Sequence, residues 1–295
     1  MNFAADCRRC RPCSIAPADA RSGWALASVL WALTAIALLA AAAQSLTATS
    51  YDAERRAFDA ARADAILDAA VARAALGISD QRAEMRWRVD GTARVFWFDG
   101  VALQVAVQDE TGRIDLNAAS AGNIRQLFLA EGLDLDAATR LADRIADWRQ
   151  PLGPGTPSGG SDADYKAAGL SYSPRHGPFQ TVDELRLVLG MTPALFAKVR
   201  PAFTIYSKLA GIDPSVATPQ ALLTIYPNDP GKIAQILQDR TQAAANSLAS
   251  PMAPAPGRAF TVTAALALRG HVFRRSAVIE LTGDPERPYF ALTWQ

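Results

Sequence analysis

Three carboxylates and three thiols are the groups in this sequence that could hold a cation. Asp162 and Asp164, together with Asp147 earlier in the chain, could offer side-chain oxygens to calcium, which takes six to eight oxygens in flexible loops. A solvated acidic loop accounts for the same residues. Cys7, Cys10 and Cys13 have the C-x-x-C-x-x-C spacing of a metal site. They are all the cysteines of the chain, so the remainder can carry neither a disulfide framework nor a thiolate site. The only histidines, His176 and His271, read as a polar loop residue and a hairpin-turn residue. Arg113 and Asp115 read either as an exposed docking pair or as a salt bridge where a strand ends. No H-E-x-x-H, G-x-S-x-G or G-x-x-x-x-G-K-[ST] motif and no full EF-hand loop occurs. With no nucleophile, metal set or phosphate loop, the chain is not expected to be an enzyme.

The elements that carry these residues begin with an uncharged stretch from Ser22 to Tyr51. Within its 295 residues the chain balances thirty basic against twenty-nine acidic side chains, so it has no global charge for a polyanion. Trp24 to Ala43 is almost wholly apolar and, as a helix, would rise roughly 30 Å, the thickness of a hydrocarbon core. Arg8, Arg9, Arg11 and Arg21 precede it against Asp6 and Asp19, which predicts a cytoplasmic N-terminus and an outward-facing remainder. A secretory signal peptide shares the basic start. However, the apolar run is longer than a usual signal core and continues without a break into a second helical pattern. That pattern, Asp52 to Leu76, repeats Phe58, Ala61, Ala65, Ala69, Ala72 and Leu76 at spacings of three and four. It predicts an amphipathic continuation packed on a globular domain through that stripe, with Gly77 as its C-cap.

Beyond Gly77 the period changes to two. Glu84 to Val89, Thr92 to Phe98 and Val101 to Gln108, separated by Asp90-Gly91 and Asp99-Gly100, predict a three-stranded antiparallel meander with type I′ turns. Ala259 to Leu268, Val272 to Leu281 and Tyr289 to Trp294 form a second β region, and the two are expected to build one sheet on the long helix. Between them lies a helical insertion. Asn117 or Ser120 caps a helix to Ala130, Asp136 caps another to Arg149, and Asp183 to Leu189 pairs with Pro193 to Val199 around Gly190. Pro151 to Ser161 and Asn246 to Gly257 are loops by composition.

Several of these segments resemble one family. A basic leader ending in Arg21-Ser22-Gly23, followed by an apolar helix that becomes amphipathic, is similar to type IV pilins and type II secretion pseudopilins. Val107-Gln108-Asp109-Glu110-Thr111-Gly112-Arg113-Ile114-Asp115-Leu116-Asn117-Ala118-Ala119-Ser120 closely resembles the general secretion pathway protein K family. So do Leu141-Ala142-Asp143, Asp147-Trp148, Gly177-Pro178-Phe179 and Val182-Asp183-Glu184-Leu185. The resemblance implies cleavage by prepilin peptidase between Gly23 and Trp24, with methylation of the new amine. It places Ser28 where most pilins carry a glutamate that neutralises a neighbour's terminal amine, an absence that is itself a mark of the K-type minor pseudopilin.

The fold so implied is α+β: a pilin-like long N-terminal transmembrane helix on an antiparallel sheet, with a large inserted α-helical domain of helix-hairpin-helix or SAM-like kind. The expected parts are a leader, 1–23; the transmembrane half of the helix, 24–50; the pilin-like helix and first strands, 51–112; the insert, 113–204; and the rest of the pilin-like domain, 205–295. The resemblance also implies residence in the inner membrane and a tip complex with minor pseudopilins I and J, with pseudopilin H as a further partner. Prepilin peptidase, the inner-membrane assembly platform, secretin and secreted substrate are implied as further partners, and calcium as a cofactor of the insert on Asp147, Asp162 and Asp164. The alternative is a membrane-anchored DNA-uptake receptor, because the two helix pairs also resemble helix-hairpin-helix modules. DNA-binding hairpins offer amides and basic side chains to phosphates. Here Glu131-Gly132-Leu133-Asp134-Leu135-Asp136 offers three carboxylates, which argues against duplex binding.

Overall fold

The computed structural model describes residues 22–151, 160–245 and 255–295. The cysteine motif and the leader arginines therefore lie outside the described residues, as do most of the two compositional loops. The chain divides into two units, residues 1–59 and 60–295, and helix α1 (Ser22–Ile78) contributes to both. In the first unit α1 holds the 21-residue stretch Trp24–Gln44, long and apolar enough to cross a membrane, with none of it buried inside the protein.

In the second unit the last turns of α1 lie on a five-stranded antiparallel sheet of order β1-β2-β5-β6-β7. Its strands are β1 (Asp90–Phe98), β2 (Val101–Asp109), β5 (Ala259–Leu268), β6 (His271–Leu281) and β7 (Tyr289–Trp294). The two β regions do form one sheet, because β2 pairs directly with β5, Asp109 opposite Phe260. Alternation makes this possible: Leu103, Val105 and Val107 of β2 and Phe260, Val262, Ala264 and Leu266 of β5 all point to the helix and are buried.

The helix presents a different stripe from the one its spacing predicts. Ala63, Ile66, Leu67, Ala70, Val71, Ala74, Ala75 and Ile78 are buried, whereas Phe58 and Leu76 face solvent. The buried stripe carries four branched aliphatic side chains, so it removes more apolar area from water than a stripe made mostly of alanines. Ion pairs then fix the rotation: Arg275 reaches Asp64 at 3.0 Å and Asp68 at 3.1 Å, and Arg62 pairs with Asp99 at 2.8 Å.

Nor does Glu84 to Val89 form a strand, and Gly77 is not a C-cap. The helix runs on to Ile78, and a Cβ on Gly77 would lie 2.5 Å from the Trp87 ring. Gly77 is there so that the indole can lie against the helix backbone, with the Trp87 backbone N–H donating to the Gly77 carbonyl at 2.9 Å. This contact draws residues 84–88 off the sheet, so a hairpin replaces the meander. Asp99 and Gly100 do form its left-handed turn, with φ of 50° and 73°.

Asp90, at the root of β1, is buried and pairs with Arg88, and Thr92 N–H donates to its carboxylate at 3.1 Å. Burial alone would raise its pKa, but the Arg88 guanidinium and the hydroxyl and N–H of Thr92 outweigh it and hold it below 3.8. A carboxylate with a depressed folded value stabilises above its unfolded value and ceases to do so as pH falls through the folded one. Asp90→Asn is therefore expected to melt lower than wild type at neutral pH, the gap closing as pH drops below 3.8. Thermal unfolding of both proteins across an acid pH series checks this, and a gap that widened on acidification would refute it.

The second core lies between β3 (Ile114–Asp115) and β4 (Phe203–Thr204), a short parallel pair with Ile114 opposite Phe203. It contains α2 (Ala121–Ala130), α3 (Leu135–Arg149), α4 (Asp162–Ala167), a 3-10 turn Val182–Leu187 and α5 (Pro193–Val199). Ser120 caps α2, as expected. The cap of α3 is Asp134 rather than Asp136, its carboxylate accepting Ala137 N–H at 2.8 Å. Trp148 stacks on Phe179 at 6.0 Å, and Leu189 N–H donates to the Tyr165 hydroxyl at 2.9 Å, so both large polar aromatics are fixed within the core.

A third, smaller cluster is formed by α6 (Pro219–Ile225) and α7 (Pro230–Ala245) around Ala217, Ala221, Leu222 and Ile233. Arg240 of α7 ties the two helices to the preceding segment, donating to the carbonyls of Ala217 at 2.6 Å and Pro214 at 2.8 Å.

Candidate functional site

Within the first unit, Trp24, Leu26, Val29, Leu30, Trp31, Leu33 and Ile36 are exposed all around the helix. A helix apolar on every side is stable only among lipid or other apolar helices. Gly23 and Trp24 lie in its first turns. Ser28 donates its hydroxyl to the Ala25 carbonyl at 2.9 Å, and Thr34 does the same to Trp31 at 2.9 Å. Both hydroxyls are thereby satisfied within their own helix, so Ser28 introduces no charge and demands no polar partner at bilayer depth.

The three aspartates considered for calcium are engaged separately. Asp164 completes a capping box at the start of α4, accepting the Ser161 N–H at 2.8 Å and its hydroxyl at 2.7 Å. These bonds hold its carboxyl below the usual value. Asp162 meets His176 Nε2 at 3.0 Å, and buried Asp147 accepts the Gly160 N–H at 3.1 Å. Among the described residues no three acidic, histidine or cysteine side chains gather as a ligand set.

Arg113 and Asp115 do not pair with each other. Arg113 turns toward Glu110 at 3.3 Å. Asp115, 1% exposed, receives four donors: the N–H groups of Asn117 at 2.8 Å, Ala118 at 3.2 Å and Lys208 at 2.8 Å, and the Ser207 hydroxyl at 3.2 Å. Two of the four come from the turn that follows β3 into the helical core and two from the segment that follows β4 out of it. Arg149, at the end of α3, closes the same region by donating to the carbonyls of Leu116 at 2.5 Å and Ala119 at 2.6 Å.

Between this stem and the sheet lies a buried ionic joint that sequence reasoning did not assign. Asp109 ends β2 and caps the 3-10 turn Glu110–Gly112, accepting Thr111 N–H at 2.9 Å and its hydroxyl at 2.7 Å. Arg258, immediately before β5, reaches Asp109 at 2.7 Å, Thr111 at 2.9 Å and Asp213 at 3.5 Å. Burial raises the Asp109 carboxyl, outweighing the turn and Arg258. Glu110 accepts the Thr261 hydroxyl at 2.5 Å, and Gln108 donates to the Val216 carbonyl at 2.7 Å. One short turn thus ties together the sheet, the stem of the helical core and the approach to α6.

Residues 103–208 match the family of type II secretion system protein K. The match begins in β2 and ends just beyond β4, so it includes the Asp109–Gly112 turn of the joint, the stem and the whole helical core, but not Asp213, Val216, Arg258 or Thr261. Among solved structures, the chain is similar to one in the crystal structure of the GspK-GspI-GspJ complex from the enterotoxigenic Escherichia coli type 2 secretion system. The two are 14% identical with a TM-score of 0.55, over 84% of this chain and 98% of that one. That likeness is one of fold. No curated protein sequence matches the chain. Residues 103–208, about a third of the chain, thus carry its likeness to type II secretion system protein K.

Proposed function

We propose that this chain is a minor pseudopilin of type II secretion that caps the pseudopilus tip with pseudopilins I and J and starts its assembly for export of folded proteins across the outer membrane. The protein K match over residues 103–208 carries the reading, because those residues comprise the helical core and the stem that roots it in the sheet. The solved complex of similar fold contains GspI and GspJ beside GspK, and the same partner types are proposed here. Pseudopilin H, prepilin peptidase and the inner-membrane assembly platform complete the set, with secretin and cargo beyond the tip.

Physical reasons support the placement. In a filament built around packed apolar helices, a subunit bearing a second core is too bulky to repeat along the shaft, and it fits at the end. A topmost subunit has no subunit above it whose amine needs a counter-charge, which suits the self-satisfied hydroxyl of Ser28. The arginines before the apolar stretch favour a cytoplasmic N-terminus, and hence an inner-membrane anchor with the sheet and helical core in the periplasm. Asp134 occupies the N-terminus of α3 with its own carboxylate, where a nucleic-acid phosphate would otherwise sit, which weighs against the DNA-receptor alternative.

The deciding experiment is the intact mass of the membrane-extracted protein from cells with and without prepilin peptidase. A peptidase-dependent loss of residues 1–23, leaving a methylated Trp24, is expected. An intact N-terminus would favour an anchored receptor, and cleavage near Ala43 would make the chain a secreted soluble protein; either overturns the proposal. Reconstituted filaments carrying this chain along their whole length would overturn the tip placement alone.

A further inference from the structure

Two guanidinium groups flank the ring of Trp87 with no carboxylate to meet them. Arg94 of β1 has its Cζ 5.1 Å from the ring centroid, and Arg73 of α1 lies 5.8 Å from it. Among the described residues neither forms a hydrogen bond or ion pair. The contrast with other partly buried arginines is direct: Arg113 meets Glu110, Arg258 meets Asp109, and Arg275 meets two aspartates. Arg94 is half-buried, and the charge nearest it in effect is a second cation. Stacking on an indole offsets only part of the cost of such an arrangement.

Beside the pair lies a cleft of about 430 Å³ whose lining includes Met85, Trp87, Thr92, Arg94 and Val95. Glu84 also reaches its rim, where its charge acts on Arg82. Thr92 to Val95 belong to β1, an edge strand, so one side of their backbone has no strand partner. The cleft therefore combines a β1 edge that pairs with no strand, an apolar floor, Arg88 held by Asp90, and Arg94, which lacks an anion, with Arg73 as the other cation at the Trp87 ring.

We propose that this cleft docks an extended acidic segment of a partner protein. The segment's backbone pairs with the free edge of β1, one of its carboxylates sits between Arg73 and Arg94, and a neighbouring apolar side chain rests on Trp87 and Met85. A phosphate or an anionic lipid surface would satisfy the cations but would use neither the strand edge nor the apolar floor. The inference does not depend on the secretion reading, since it rests on the charges and the edge alone.

The test uses a fluorescein-labelled decapeptide of alternating Glu and Val, titrated with the detergent-purified full chain and followed by anisotropy. Saturable binding that weakens with added salt is expected, about tenfold weaker in Arg94→Gln and abolished in Arg73→Gln/Arg94→Gln. Arg274→Gln, on the exposed outer face of β6, should leave it unchanged. Equal melting temperatures of the variants and wild type separate lost docking from lost folding; if the double variant melts lower, Arg94→Lys should restore most of the binding. Absence of binding, equal binding by the double variant, or equal binding of a decapeptide with proline in place of valine would overturn the proposal. So would binding to phosphatidylglycerol vesicles that depends on both arginines when the peptide does not bind.

Discussion

Asp115→Ala is expected to lower the unfolding free energy of the full chain by on the order of 3–5 kcal/mol, because it strands several buried donors at once. The Asn117, Ala118 and Lys208 amides and the Ser207 hydroxyl all point at this carboxylate, which is 1% exposed. Alanine supplies no acceptor, and the space it opens lies between the two strands of the stem. Asp115→Asn should cost less, since its carbonyl retains an acceptor, but it gives up the charge that strengthens each bond and that favours Arg149 nearby. Urea unfolding followed by tryptophan fluorescence measures both variants. A loss under about 1 kcal/mol for the alanine variant would mean that the stem stands without its carboxylate.

Gly112→Ala should have an effect of at least about 3 kcal/mol, for a steric reason rather than a polar one. A Cβ at this position would lie 2.2 Å from the Val216 carbonyl oxygen and 2.6 Å from its carbon. The neighbour is backbone, and it cannot withdraw freely. Thr218 N–H donates to the Gly112 carbonyl at 3.0 Å, Asp213 N–H donates to the Thr111 carbonyl at 2.8 Å, and Gln108 holds Val216 from the other side. The added methyl must therefore lift residues 213–218 off the turn, and α6 and α7 follow them. Hydrogen exchange should show faster exchange across 213–243 while residues 114–203 keep their protection. Unchanged protection in 213–243 would show that the turn can accommodate a side chain.

The outcome along the chain follows how local each signal is. Ala259 to Leu268 and Tyr289 to Trp294 end where the sequence places them, because alternation and glycine turns are written in neighbouring residues. The membrane-length stretch is legible for the same reason. Residues 84–89 misled because Trp87 and Val89 alternate like a strand, while the partner of Trp87 is Gly77 of the preceding helix. The helix stripe misled because two interleaved sets of apolar residues share its surface, and the choice between them is made by the sheet. Thr218-Pro219 is a capping signature that could have revealed α6, with Thr218 accepting Ala221 N–H at 3.2 Å. The joint had no such signature. Arg258 is an ordinary loop arginine until the sheet sets it opposite Asp109, and an acidic residue in a turn looks solvated until tertiary structure buries it. Asp147, Asp162 and Asp164 show the converse: residues close in sequence were each taken up by a cap, a histidine or a backbone amide.

The adjacency of β2 and β5 sets an order of events for the newly made chain. Each outer hairpin can zip up early, but their union must wait until everything between Asp109 and Phe260 has been synthesised. An unstructured segment of that length is costly to close, and the cost grows with the logarithm of its length. Once β3 meets β4, the helical core has already brought Ile114 and Phe203 together. What remains to be closed is chiefly the stretch through α6 and α7, a saving of about 1 kcal/mol in chain entropy. The core is therefore a folding aid to the sheet it interrupts, and the sheet's final assembly reports that the core is in place.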